Sequence, residues 1–180
     1  MKKVLVTLLI LAVIAPVFAG AYYTVRYPLK YQTEAASACE EYGLDRALVN
    51  SVINAESRFD RRAESSAGAL GLMQLMPETA AWLAPSAGLA DFESVDLFDP
   101  AVNINLGCFY LKYLLGRFKD TDTALAAYNA GEGNVAVWLK DESMSDGGKI
   151  KPEAIPFKET RDYVRRINKY RKVYSWRSKR

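Results

Sequence analysis

Between Asp45 and Glu56 the apolar residues return every three or four positions, with Leu48, Val49, Val52 and Ile53 making one stripe. That spacing fits an α-helix and no strand, because only a 3.6-residue period brings such positions to one face. Glu56 follows Val49 by seven residues, two helical turns, so the acid sits almost on the stripe. A carboxyl there faces the edge of a core. Partial loss of water disfavours its charged form, raises its pKa and suits a general acid working near neutral pH. The competing reading is a glutamate at a fraying helix end.

The helical period recurs along the chain. Ala35, Ala36, Ala38 and Tyr42 form a segment from Leu29 that stops at Gly43, and Asp45 caps the helix of Glu56. A polar loop, Asp60–Gly71, leads to Pro77, a residue tolerated at the first position of a helix. Residues 84–99, with Pro85, Gly88, Asp91, Glu93, Asp96 and Asp99, read as a surface loop. Asp99-Pro100 opens a long helix to about Phe118, whose expected buried side is Val102, Leu106, Phe109, Tyr110, Tyr113 and Leu114. A helix capped near Thr121 or Asp122 runs through Ala124–Tyr128, a short one covers Asn134–Lys140, and 141–151 reads as a polar loop. The last helix starts near Phe157 and places Thr160, Tyr163, Val164, Ile167, Tyr170 and Tyr174 on one face. No strand pattern stands out, so the fold class is all-α. With 180 residues, 50% of them hydrophobic, the chain can bury one core.

The N-terminus is of another kind. After Lys2 and Lys3 the 22 positions from Val4 to Val25 carry no charge. As a helix they would reach about 33 Å, enough to cross a bilayer. Ala19-Gly20-Ala21 fits a signal-peptidase site with cleavage after Ala21. Against cleavage, the uncharged run continues through Tyr22, Tyr23 and Val25 to Arg26, as an interfacial aromatic belt does. The favoured expectation is an uncleaved anchor over 1–27 and a domain over 28–180. Either reading exports the domain from the cytoplasm to the membrane's outer face or the cell wall.

What is missing narrows the chemistry. Without histidine, the chain has no Ser-His-Asp or Cys-His nucleophile system and no histidine-bearing zinc site. Cys39 and Cys108 are too few for an all-cysteine zinc site and too far apart for a CxxC motif; two small buried apolar residues is the favoured reading over a disulfide. No metal and no cofactor are expected. Residues 158–180 hold ten Lys or Arg against Glu159 and Asp162, whereas 28–157 are net acidic. Such a tail would suit an anionic polymer or membrane lipid, or be a solvated helix face. The concentrated basic and aromatic surface of a nucleic-acid binder is absent.

Three segments carry the remaining polar chemistry. The first joins Glu56-Ser57 and Ser65 to Gly68-Ala69-Leu70-Gly71-Leu72-Met73-Gln74-Leu75-Met76-Pro77. The second is Ala124-Leu125-Ala126-Ala127-Tyr128-Asn129-Ala130-Gly131, and the third is Ile155-Pro156-Phe157-Lys158-Glu159-Thr160-Arg161-Asp162-Tyr163-Val164. Each alone has a packing explanation. Together, in this order, they resemble the lytic transglycosylases with the soluble lytic transglycosylase (SLT) catalytic domain, relatives of goose-type lysozyme. The resemblance covers about residues 40–175.

The resemblance implies a lysozyme-like helical fold around a groove for peptidoglycan glycan strands. It implies cleavage between N-acetylmuramic acid and N-acetylglucosamine, closing a 1,6-anhydro ring. By it Glu56 matches the catalytic acid. Ser65, Gln74 and Met76 match residues lining sugar subsites, Tyr128 and Asn129 match residues flanking the carboxyl, and Glu159 matches a position associated with the stem peptide. Glu132 departs from the family, which commonly has proline after the Tyr-Asn-Ala-Gly motif. Two rivals remain: a hydrolase on the same scaffold, with Asp60, Glu64 or Glu132 as second carboxylate, and a non-catalytic glycan-binding scaffold of the cell envelope.

Overall fold

The computed structural model describes residues 2–89 and 91–177, without the side chains of Lys2, Lys3 and residues 5–10. Eight α-helices follow one another among the described residues: α1 Lys2–Arg26, α2 Gln32–Tyr42, α3 Arg46–Glu56, α4 Pro77–Leu83, α5 Pro100–Phe118, α6 Thr121–Ala130, α7 Glu132–Trp138 and α8 Lys158–Arg177. Capping chemistry sets several of the boundaries. Asp45 accepts from Ala47 N, and Asp99 accepts from Ala101 N and Val102 N. Gly43 closes α2 in the left-handed conformation. The expected start of α6 moves slightly, since Asp120 is its cap, and α7 begins at Glu132 instead of Asn134.

The main core forms where α3 lies on α8. Val49, Val52 and Ile53 are fully buried with Val164, Ile167 and Tyr174. The α8 face expected from the sequence is the buried one. The α5 face is not. Ile104, Cys108, Leu111 and Leu114 are buried in the main core, while Leu106 packs in a second cluster with Leu75, Ala80, Leu83 and Leu97. Val102, Phe109, Tyr110 and Tyr113 stay half-exposed. The reason is position: α5 meets α2, α6 and α4, so it buries more than one side, and a one-stripe rule fails for it.

Two stretches expected to be loops contain structure. Residues 84–99 hold 3₁₀ turns at Ala84–Ala87 and Ser94–Phe98, and Leu97 is fully buried. Residues 141–151 contain a short antiparallel hairpin, β1 Ser145–Asp146 with β2 Lys149–Ile150. Cys39 and Cys108 are free, buried thiols in contact with each other. At the N-terminus, no helix is long and apolar enough to cross a membrane among the described residues. Part of the expected anchor falls on side chains outside those described.

The segment between α3 and α4 folds back on itself as a small lobe, through bridges of Leu70 with Glu64 and Leu75. It closes against α5 through Asn103, which is wholly buried. Its Nδ2 donates to Leu70 O at 3.0 Å and Leu97 O at 2.9 Å, and its Oδ1 accepts from Met73 N at 2.8 Å. Gly71 lies under this clamp at φ +76°, where a Cβ would stand 2.1 Å from Leu97 O. Backbone cannot retreat as a flexible side chain can. Gly71→Ala is therefore expected to destabilise by about 3 kcal/mol, and a change of under 1 kcal/mol in thermal unfolding would contradict the tight approach.

Candidate active site

The clamp matters because α3 delivers Glu56 to the edge of this lobe. Ser57, the C-cap of α3, donates through Oγ to Leu72 O at 2.8 Å. Tyr128, near the end of α6, donates to Met73 O at 2.9 Å. The Leu72–Gln74 turn is thus held from both sides, with Glu56 on one and Tyr128 on the other. From α8, Tyr163 donates its phenol to Glu56 Oε1 at 2.6 Å. Three elements distant in sequence converge on one carboxyl.

The environment decides that carboxyl's protonation. Burial pushes the Glu56 pKa up to about 7. The Tyr163 hydrogen bond and the Arg166 charge pull it back, while Glu159 pushes it further up. Glu56 retains some exposure, so a ligand can reach it. The phenols of Tyr128 and Tyr163 are raised by burial and by the nearby Glu56 charge, which keeps both as neutral donors.

The other expected site residues arrange themselves around this point in unequal ways. Gln74 takes a left-handed backbone, φ 49°, and its Nε2 donates to Ala63 O at 3.1 Å and Gly71 O at 3.0 Å. With both amide hydrogens used, the group it can offer a ligand is the acceptor Oε1. Asn129 is the reverse: its Oδ1 accepts from Thr160 Oγ1 at 2.7 Å, leaving the amide hydrogens. Ser65 Oγ accepts from Ala69 N at 3.0 Å and so shapes the lobe's turn. Met76 is the half-exposed N-cap of α4. Glu159 stands exposed in the first turn of α8, within electrostatic reach of Glu56.

Away from Glu56 a series of rings continues the site. Tyr128 lies 5.3 Å from Tyr110, Tyr110 stacks 6.3 Å from Tyr113, and Trp82 meets Tyr113 edge-on at 5.4 Å. Trp82 is 55% exposed, so the series ends in open solvent. Glu132 sits beside it, accepting from Tyr113 at 3.3 Å and pairing with Arg117 at 3.1 Å. The acid that departs from the family is thus held by Arg117 and Tyr113.

In the sequence Tyr110 and Tyr113 were legible as packing residues only, Tyr163 as a packing residue within the third segment, and Trp82 carried no signal. The signal for Tyr163 was a phenol on the buried face of α8 in a chain whose core already held a carboxyl at its edge. Because its hydrogen bond favours the ionised Glu56, Tyr163→Phe is expected to raise the Glu56 pKa and move the alkaline limb of activity to higher pH. Activity at the optimum should fall by about tenfold, through looser positioning of the acid. A pH–rate profile measures both, and an unmoved limb would contradict the coupling.

The transglycosylase SLT domain family matches residues 34–150. The soluble lytic murein transglycosylase of Salmonella typhimurium is 33% identical over 151 residues, covering 83% of this chain and 23% of that protein. A membrane-bound lytic murein transglycosylase C from Mannheimia succiniciproducens is 31% identical over 166 residues, covering 81% and 46%. Among solved structures, an inactive mutant of lytic transglycosylase Slt from Pseudomonas aeruginosa superposes with a TM-score of 0.80 at 34% identity, covering 87% of this chain and 26% of that one. The chain spans about a quarter of the length of the soluble relatives it matches.

Proposed function

The chain belongs to the transglycosylase SLT domain family, and from that premise we propose that it is a peptidoglycan lytic transglycosylase. Its substrate would be the β-1,4 bond between N-acetylmuramic acid and N-acetylglucosamine, and its product a 1,6-anhydromuramic end. The observation that carries this reading is Glu56: one half-buried carboxyl, protonated up to about pH 7, oriented by Tyr163.

The chemistry follows from that protonation state. Glu56 begins as the acid and protonates the departing glycosidic oxygen, with the muramic N-acetyl group assisting departure. Now a carboxylate, it takes the proton from the same sugar's 6-hydroxyl, which attacks C1 and closes the ring. Intramolecular attack needs no water and gains from proximity. The Gln74 acceptor and the Asn129 amide hydrogens supply orientation, and Met76 and the ring series from Tyr128 to Trp82 supply apolar faces for sugar rings. Ser65 shapes the lobe wall, and Glu159 extends the site toward the stem peptide. Of the candidate second carboxylates Asp60, Glu64 and Glu132, the last fits poorly, because Arg117 and Tyr113 already hold it.

The deciding experiment is mass spectrometry of digested peptidoglycan. Anhydromuramic ends are expected; reducing ends carrying added water, without anhydro ends, would establish the hydrolase, and binding without any cleavage the scaffold. For location, we propose an anchor over residues 1–27 with the domain outside, supported by the uncharged run from Val4 to Val25. Resistance of the chain to alkaline extraction from membranes is expected, and Tyr22 as the first residue of mature protein would sink the anchor.

A further inference from the structure

The basic face of α8 does not enter the proposed reaction, yet it lines a cavity. Arg26, Arg58, Arg165, Arg166 and Lys169 surround a space of about 560 Å³ between α3 and α8, with Asp162 as the acid among the lining residues. Asp162 is already paired with Lys158. Among the described residues, Arg58, Arg165, Arg166 and Lys169 form no ion pair with a carboxylate; Arg166 instead feels the Glu56 charge across the cavity wall. Arg26 is held differently, its guanidinium 4.7 Å over the Tyr170 ring. These four exposed cations, with the Asp162 charge acting on Arg165, leave the concavity net positive and attractive to an anion.

A second cavity, of about 630 Å³, continues this one and shares Arg26, Asn54 and Arg58 with it. Its remaining wall is apolar: Phe18, Ala21, Tyr22 and Val25, all on the last turns of α1. That end of α1 is fixed to the domain. Asn54 donates to Arg26 O at 3.0 Å, Arg177 donates to the carbonyls of Tyr23 and Tyr27, and Tyr27 packs edge-on against Tyr170 and Tyr174. The cationic and apolar walls therefore belong to one continuous concavity.

We propose that this double cavity binds an anionic phospholipid, with the headgroup phosphate among Arg58, Arg165, Arg166 and Lys169 and an acyl chain along Phe18, Ala21, Tyr22 and Val25. Charge selects an anion, and the apolar wall selects one that carries a hydrocarbon tail; a free phosphate or a sugar acid would leave that wall unused. The site rests on the reading of α1 as a membrane helix for its natural setting. It would lay the domain on the bilayer with Ala55, and hence Glu56, close to the surface.

The test is native mass spectrometry of the full chain released from nanodiscs of mixed phosphatidylcholine and phosphatidylglycerol. Preferential retention of phosphatidylglycerol is expected. Combining Arg58→Gln, Arg165→Gln and Lys169→Gln should reduce that preference about a hundredfold, three cations being removed from an anionic interface. Equal retention of the two lipids by the parent chain overturns the proposal, as does a triple variant that keeps the preference. A variant that keeps it but no longer binds insoluble peptidoglycan assigns the cavity to substrate, and overturns it equally. If the chain fails to enter phosphatidylcholine nanodiscs yet floats with phosphatidylglycerol vesicles, the anchor reading falls and the lipid site stands.

Discussion

Glu56→Gln is expected to abolish glycan cleavage and, at the same time, to make the protein more stable above neutral pH. The amide keeps the shape and can still accept from Tyr163, but it has no proton to give. The loss in rate should be at least about a thousandfold. The stability change has the opposite sign because of where the carboxyl titrates. In the fold its pKa is raised from 4.5 to about 7. Below pH 4.5 the group is protonated in both folded and unfolded chains and contributes nothing to the difference. Between pH 4.5 and 7 the folded chain holds more protons than the unfolded one, so stability falls as pH rises across that window. Above it, the wild type carries the full cost of a buried carboxylate, about 3 kcal/mol. Melting wild type and variant side by side at pH 4 and pH 8 should show curves that coincide at the lower pH and separate at the higher. A variant no more stable at pH 8 would mean that Glu56 is not desolvated. The rate of the wild type should decline as pH rises through about 7, as the acid form is lost.

Asn103→Leu should have the largest effect on stability. Three backbone groups, Leu70 O, Leu97 O and Met73 N, bond to this one buried amide, and Leu70 O alone has a second partner, Leu75 N. Leucine leaves Leu97 O and Met73 N without partners away from water, at about 1–3 kcal/mol each before relaxation, while Leu70 O keeps its bond from Leu75 N, so a total of about 4 kcal/mol is expected. The clamp also fixes the turn between Met73 and Gln74, so activity should fall even at temperatures where the variant remains folded. Urea unfolding measures the first effect, and peptidoglycan turnover well below the midpoint measures the second. Full turnover by the folded variant would show that the lobe needs no clamp.

Sequence reasoning reached different depths in different elements. On α3 and α8 a single face is buried, so the 3.6-residue period names the core residues directly. On α5 it misnames several, because burial there comes from neighbours on more than one side. The Gln74 position was recognisable by motif, but its working group was not: which of its amide atoms is left for a ligand depends on Ala63 and Gly71 carbonyls brought near by the lobe. Glu132 likewise read as an extra acid near the site until Arg117 and Tyr113 were seen to hold it.

The sequence alone determined the helical class, the absence of histidine-based chemistry, and Glu56 as a carboxyl at a core edge, since period, composition and capping are local properties. Only the tertiary structure decided that the Tyr163 phenol meets Glu56 from 107 residues away, and that the α8 cations share one concavity with the end of α1. Those juxtapositions are set by how helices pack. No local spacing encodes them, and the protonation of Glu56 near pH 7 depends on that packing.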